Sequence, residues 1–365
     1  MKKATAILSI LLAALLALTA CSAAPETSEA TPTATPAPTE AEATAEPTVT
    51  PGAETSGAYT LNVAALLGPT GIGMVKLMDD ADSGLYADQF NANISLSSAP
   101  DEISGKLITG ELDIACVPTN LAAVLYNKTE GGVKMAALNT LGVLYVLEKG
   151  DSVNSVADLA GKTVYATGEG SMPEYIIDYV LAQNGITDSV TVDYLTEHSE
   201  LAAKAIAGDV DLCILPEPFV SMVTAKNPDM RVALSLTDAW NEASGGTELS
   251  MGCIVVRSAL LETEEGKAAV DAFLEAYSES AHYVAENPAE AAKLVVKYGI
   301  MDDETLAAAT IPRCNIVFIE GDEMGICANA LYQVLYAANP KSIGGALPDD
   351  ALYYSRFTAS TTKAN

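Results

Sequence analysis

The chain is poor in the side chains that most often carry out chemistry. It has two histidines, His198 and His282, one tryptophan, Trp240, and only four arginines, Arg231, Arg257, Arg313 and Arg356, in 365 residues. His198 falls at a helix start and His282 inside a helical segment, and neither sits in a pattern that marks a general base or a metal ligand. No Cys-x-x-Cys or Cys/His spacing occurs, so neither a metal centre nor any other cofactor is expected, and no residue reads as catalytic. Basic residues number 19 against 48 acids, a net charge of -29, which argues against nucleic acid or an anionic membrane surface as partner. With arginine so scarce, a bidentate clamp on an anionic ligand has few candidates. Neither a Walker sequence nor Gly-x-Gly-x-x-Gly is present, so nucleotide binding is not indicated.

Six cysteines remain to be placed. Met1-Lys-Lys, an apolar run from Ala6 to Leu18 and the small-residue site Leu18-Thr-Ala-Cys21 form the three parts of an export signal. Together they resemble a bacterial lipoprotein signal, with residues 1–20 removed and Cys21 carrying the lipid anchor. The other five, Cys116, Cys213, Cys253, Cys314 and Cys327, cannot all pair within one chain. Three lie in apolar strand patterns, where a free cysteine behaves as a small hydrophobe. Residues 21–57 are nearly all Ala, Thr, Pro, Glu, Ser and Gly and cannot bury enough surface to fold. They read as a disordered tether reaching up to about 100 Å, at roughly 3 Å per residue. With no further run of spanning length, the chain is expected to touch the membrane through its N-terminal lipid only, on the outer face of the cell membrane.

One stretch occurs twice. Lys106-Leu-Ile-Thr-Gly-Glu-Leu-Asp-Ile-Ala-Cys-Val-Pro118 returns as Lys204-Ala-Ile-Ala-Gly-Asp-Val-Asp-Leu-Cys-Ile-Leu-Pro216. Each copy reads as a helix stopped by glycine, an acidic turn and a short strand halted at proline. The strands are apolar with little alternation, as when helices cover both faces of a parallel sheet. Two α/β units follow, and the polar residues after each proline sit at the carboxyl ends of strands, where open α/β sheets bind ligands.

Two glycine-rich turns match in the same way. Tyr59 to Leu66 reads as a strand ending in Leu67-Gly-Pro-Thr-Gly-Ile-Gly73, and Ser155 to Thr167 as a turn of helix and then a strand ending in Gly168-Glu-Gly-Ser-Met-Pro173. Each turn opens a helix, whose N-terminal N–H groups and dipole would favour negative charge. Val133 to Leu147 reads as a strand that crosses from the first unit to the second, and Ser250 to Arg257 as the strand that crosses back. From Glu264 onward the pattern is helical, in segments 264–286, 288–298, 302–310 and 323–338. Two crossings make a hinge. The expected lobes are 58–144 plus 255–357, and 145–254.

The lipoprotein signal, the Thr/Pro tether, Asp158-Leu-Ala-Gly-Lys-Thr-Val164 and the paired Gly-x-x-Asp strands, in this order, resemble the substrate-binding lipoproteins of ABC importers. The branch is that of nitrate, sulfonate, taurine and thiamine-precursor binding proteins. That resemblance covers roughly residues 59–340. It implies an α/β, two-lobed periplasmic-binding-protein-like (type II) fold that closes on a small-molecule solute and delivers it to an ABC permease and its ATPase. Carried over, the family's ligand contacts fall on Gly68, Pro69, Thr70 and Gly71, on Thr119 and Asn120, on Asn139 and Thr140, on Gly170, Ser171 and Met172, and on Glu217.

A carboxylate at position 217 would favour a ligand with an amine or amidine-like donor, such as an aminosulfonate or aminopyrimidine, and its alternative is a rim acid or helix N-terminal carboxylate. Trp240 either stacks on a planar ligand or fills a gap in packing. Pyrimidine-forming relatives carry a cysteine-rich, iron-associated motif that this chain lacks, so an enzyme is not expected. A surface lipoprotein that senses its ligand without transport is the remaining alternative.

Overall fold

The computed structural model describes residues 58–356; the stretches expected to form the export signal and the tether, with Cys21, and the expected last residue of the first lobe, 357, lie outside the described residues. Eleven strands among them form two sheets. Beginning the first are β1 (Tyr59–Leu66), β2 (Phe90–Ser97), β3 (Ile114–Pro118) and β4 (Val133–Leu141). The chain then builds the second from β5 (Leu144–Lys149), β6 (Thr163–Thr167), β7 (Thr191–Leu195), β8 (Leu212–Pro216) and β9 (Met230–Ser235). It returns to the first with β10 (Ser250–Arg257) and β11 (Ile316–Ile319). The orders are β11-β4-β10-β3-β1-β2 and β7-β6-β8-β5-β9.

The repeated stretch folds the same way twice. In the first copy the Gly110 N–H donates to the Leu107 carbonyl (3.3 Å) and the Glu111 N–H to that of Lys106 (2.9 Å); in the second, Gly208 donates to Ala205 (3.3 Å) and Asp209 to Lys204 (3.0 Å). Both glycines are left-handed, at φ 83° and 81°, which costs a glycine little and any residue with a Cβ more. The strands that follow are buried along all but their last residue, because helices cover both faces.

The acids of the two copies diverge. Asp113 is buried against Arg257 Nη2 (2.8 Å) and the Asn62 N–H (2.9 Å), whereas exposed Asp211 stands 4.0 Å from Lys149.

Strand β2 alternates, with Phe90 inside and Asn91 and Asn93 outside, as suits an edge strand with one wet face. The helices Glu264–Glu286, Pro288–Lys297, Glu304–Thr310 and Gly321–Ala338 fall within two residues of the expected segments. Each face of the first sheet carries its own core. One holds Phe273, Tyr277 and Val284 of the long helix against Val63, Cys116 and Ile254. On the other face, Leu331, Tyr332 and Leu335 join Val117, Leu138 and Cys253, and the cluster continues into the second lobe through Val146, Ile176 and Trp240.

Two readings of the crossings need correction. Val133 to Leu147 is not one strand but β4 and β5, broken at Gly142-Val143. A Cβ on Gly142 would lie 2.1 Å from Thr237 Oγ1 and 2.9 Å from Leu249 Cδ2, so this turn needs a residue without a side chain. Strand β10 does not cross at all: Gly252 pairs with both Pro118 and Thr140 in the first sheet, and the return falls to residues 245–249. The apolar run of β10 is satisfied by pairing between β3 and β4, so residues 250–254, expected in the second lobe, belong to the first sheet.

All five described cysteines are free and buried, and among the described residues no helix is long and apolar enough to cross a membrane. Burial pushes the Cys116 and Cys213 thiols up to about 12, so they stay protonated and inert at neutral pH. Trp240 is fully buried, its ring 4.8 Å from that of Tyr179, a packing role.

At the far end of β5, Glu148 is buried and accepts from the Ser152 N–H (2.9 Å), the Val153 N–H (3.1 Å) and Arg231 Nη2 (2.8 Å). Burial pushes this carboxyl up, but the bonds from Ser152, Val153 and Arg231 outweigh it and hold the group below its ordinary value. A depressed carboxyl stabilises the fold above its unfolded pKa, and that stability is lost as pH falls through the folded value. The substitution Glu148→Gln should therefore cost about 2 kcal/mol at neutral pH. In denaturant titrations the gap to the wild type should narrow in acid; a gap independent of pH would contradict this account.

Candidate functional site

Strand direction brings polar residues from both lobes to one seam. In the first sheet β1, β3 and β4 end, and β10 begins, along one edge: Pro118 and Thr140 both pair with Gly252, and Leu141 pairs with Ser250. In the second sheet β6, β7, β8 and β9 end at the edge where β5 begins, with Leu144 opposite Pro216 and Tyr145 opposite Ser235. Only Gly142 and Val143 separate β4 from β5, so the two edges face each other across the crossings.

On the first-lobe side, Thr70, Asn139 and Thr140 converge. Thr140 Oγ1 donates to Asn139 Oδ1 (3.3 Å), Asn139 Nδ2 donates to the Tyr277 hydroxyl (3.1 Å), and that hydroxyl lies 3.5 Å from the Thr70 carbonyl. A Cβ on Gly252 would meet Asn139 Oδ1 at 2.7 Å and Thr70 Cγ2 at 2.9 Å, so glycine is what lets these strands close up. Both polar ends of buried Asn139 are thus engaged inside the protein, and its role here is to hold the edge in shape. Tyr277 was not expected in this group, because it lies in an unbroken helical pattern 138 residues from Asn139.

The first glycine-rich turn uses several of its own amides. Its helix, Pro69–Ile72, is a single turn; the N–H groups of Gly71 and Ile72 both donate to the Gly68 carbonyl, at 3.0 and 2.9 Å, and Pro69 has none. In the second turn the Gly170 N–H donates to the Glu174 carboxylate, and Ser171 Oγ donates to the Gly168 carbonyl (2.6 Å). An acid of the helix Met172–Gln183 thus already takes the place assigned to an anion, and Gly170 and Ser171 are exposed with Met172 half-buried. At both turns local bonds therefore use part of the N-terminal donor set, at Gly71 and Ile72 in the first and at Gly170 and Ser171 in the second.

Thr119 is buried at the seam. Its carbonyl accepts from the Tyr332 hydroxyl (2.8 Å), while its own Oγ1 has no partner. Asn120 turns away, its Nδ2 donating to the Ser342 carbonyl (3.2 Å). Two hydroxyls without a motif to announce them share Thr119's condition: Thr237 Oγ1, on the second lobe beside Gly142, and Ser250 Oγ, opposite Leu141, are buried with no partner. A buried polar atom without a hydrogen bond costs about 1–3 kcal/mol. The seam therefore holds three such atoms, contributed by both lobes.

Glu217 is not a free rim acid. Its side chain is 0% exposed and lies 2.6 Å from Nε of Arg313, whose Nη2 donates to Ser221 Oγ (2.8 Å). Ser221 in turn donates through Oγ to Glu217 Oε1 (2.9 Å) and through its N–H to Oε2 (3.1 Å). Burial pushes the Glu217 carboxyl above its ordinary value, against the pull of Arg313 and Ser221. Arg313 sits 96 residues away in Ile311-Pro-Arg-Cys-Asn315, which carries no recognisable signal.

His198, also unassigned from sequence, lies at the second-lobe edge with Nδ1 2.5 Å from Thr167 Oγ1 and its ring 5.5 Å from that of Phe219. Burial lowers its pKa against a small upward pull from Glu197, so the ring is neutral at neutral pH. Among the described residues no group of three or more His, Cys, Asp or Glu side chains is placed to hold a metal ion.

The sequence profile of the family described as NMT1/THI5 like matches residues 102–291. Solved structures share the architecture. An ABC transporter structure from Parabacteroides distasonis superposes with a TM-score of 0.70 at 24% identity, covering 82% of this chain and 99% of that one. The periplasmic aliphatic sulphonate binding protein SsuA from Escherichia coli gives 0.64 at 16% identity, over 79% and 96%. For the alkanesulfonate-binding protein SsuA from Xanthomonas axonopodis pv. citri, bound to MOPS, the values are 0.56 and 14%, over 77% and 94%. At these identities the likeness establishes the fold. No curated protein matches the sequence.

Removing the Tyr277 hydroxyl should leave Asn139 Nδ2 buried without an acceptor. The variant Tyr277→Phe is expected to lose about 1–3 kcal/mol of unfolding free energy in urea, with the slope unchanged. Stability equal to the wild type would show that the Asn139 network does not hold the seam.

Proposed function

Because the chain belongs to the NMT1/THI5-like family, we propose that it is the extracytoplasmic solute-binding lipoprotein of an ABC importer. It captures a small polar solute between its lobes and passes it to a membrane permease driven by a partner ATPase. It does so without catalysis, held at the outer face of the membrane by a lipid on Cys21. The observation that carries this reading is the seam: two sheet edges, joined by two short crossings, with the unpartnered hydroxyls of Thr119, Thr237 and Ser250 between them. A solute that bonds to hydroxyls of both lobes can do so fully only when they are together, so its binding shifts the population toward the closed arrangement.

The seam's chemistry bears on which solute. Glu217 would have anchored an amine, but both its oxygens are taken by Arg313 and Ser221, so an ammonium gains no free carboxylate there. Hydroxyl donors suit an acceptor-rich head group, and sulfonate oxygens are of that kind, as in the ligands named for the two sulfonate-binding proteins of the same architecture. We therefore rank alkanesulfonates above aminopyrimidines.

The test is a thermal-shift series on the full-length protein with ethanesulfonate, taurine, MOPS, nitrate and an aminopyrimidine. One sulfonate should raise the melting point in a dose-dependent way, with about 2.7 kcal/mol of stabilisation at a hundred times its Kd. Replacing Thr119 by Val should weaken that binding by about tenfold while leaving the solute-free melting point within a few degrees. A response to none of these compounds, or an unchanged affinity in the variant, would overturn the assignment.

A further inference from the structure

A second set of contacts joins the lobes. Glu217 follows β8 of the second lobe, and Arg313 lies on the turn Ile311–Arg313 that leads into β11 of the first. Around the pair, the Tyr145 hydroxyl donates to the Arg313 carbonyl (2.9 Å), Asn315 Nδ2 donates to the Gly142 carbonyl (2.5 Å), and the Glu217 N–H donates to that of Val143 (3.0 Å). On the solvent side, Met222 and Ala225 of the helix Phe219–Lys226 line a groove with Leu306 and Ala309 of the helix Glu304–Thr310. Every one of these contacts joins residues of different lobes or a lobe to the Gly142-Val143 crossing.

From this arrangement we propose that the Glu217–Arg313 ion pair is a lock on the angle between the lobes, engaged in the solute-free protein. Its physical basis is desolvation. A carboxylate with no exposed side-chain surface cannot give up its guanidinium partner without being left as an uncompensated buried charge, which is strongly unfavourable. Any change in lobe angle that draws Arg313 away must therefore also bring water to Glu217, which makes the resting arrangement discrete instead of continuously variable. Glu217 bonds the Val143 carbonyl through its own N–H, and Asn315, two residues from Arg313, bonds that of Gly142, so the pair acts beside the first crossing, where a small displacement corresponds to a large swing of the lobes. The lock rests on the two-lobed fold and adds to the solute-binding reading a contact that works in the absence of solute.

Hydrogen exchange read by mass spectrometry on the full-length protein, with no solute added, tests it. Four forms are compared: wild type, Arg313→Met, Glu217→Gln and the double variant, which removes both charges while keeping the volume. Peptides covering 217–226 and 304–315 should exchange about tenfold faster in each single variant, with the double variant no faster than the more affected single one, as for groups that act as a pair. Peptides from β1 and β6 should keep wild-type rates in the double variant. Wild-type rates at 217–226 and 304–315 in all variants, or an equal acceleration of every peptide, would overturn the lock. The melting-point response to a sulfonate is measured separately on the same proteins and bears only on solute binding.

Discussion

Strand direction is the constraint from which the rest of this structure follows. A parallel strand can be reached only by a crossover that returns the chain to the starting edge, so all the loops leaving such strands gather on one side. Here that happens twice, in the strands ended by Pro118 and Pro216, and the chain joins the two sheets through Gly142-Val143 at that shared side. Facing loops are the consequence. Had the crossing left from the other end of β4, Thr119 and Glu217 would lie on unrelated surfaces and no seam would exist.

Charge is distributed to match. Each of the four arginines holds a carboxylate: Arg231 with Glu148, Arg257 with Asp113, Arg313 with Glu217, and Arg356 with Glu320 and Glu275. Three of these carboxylates, Glu148, Asp113 and Glu217, are buried, where a planar, permanently charged donor suits better than a flexible ammonium. Scarcity in the sequence thus reflects specialised use: arginine ties distant segments of an acidic chain together. What remains at the seam for a solute is mainly hydroxyl chemistry.

Much of the scaffold was legible in the sequence because its signals are local. The Gly-acid turn could be recognised in both copies since a left-handed glycine after a helix has a short-range cause, and the helices from Glu264 onward declare themselves by periodicity. Thr70, Asn139 and Thr140 were named together only through the family resemblance, and two of them lie within β4. Legibility failed where a partner is distant or a turn consumes its own donors. Arg313 and Tyr277 meet their partners across 96 and 138 residues, and no pattern near either one records it. The amides at Gly71 and Gly170 were expected to face a ligand, but bonds to Gly68 and Glu174 take them, a detail of turn geometry invisible in composition. Strand β10 shows the same limit, since an apolar run reveals that a strand is buried and not which sheet buries it.

The central claim is that a solute occupies the space between the two sheet edges. A crystal structure of the protein grown with the most stabilising sulfonate tests this most directly. Density for the solute should lie between the lobes, within hydrogen-bonding distance of Thr119 Oγ1 on one side and Thr237 Oγ1 on the other. Solute found outside the seam, with those hydroxyls still unpartnered, would contradict the account.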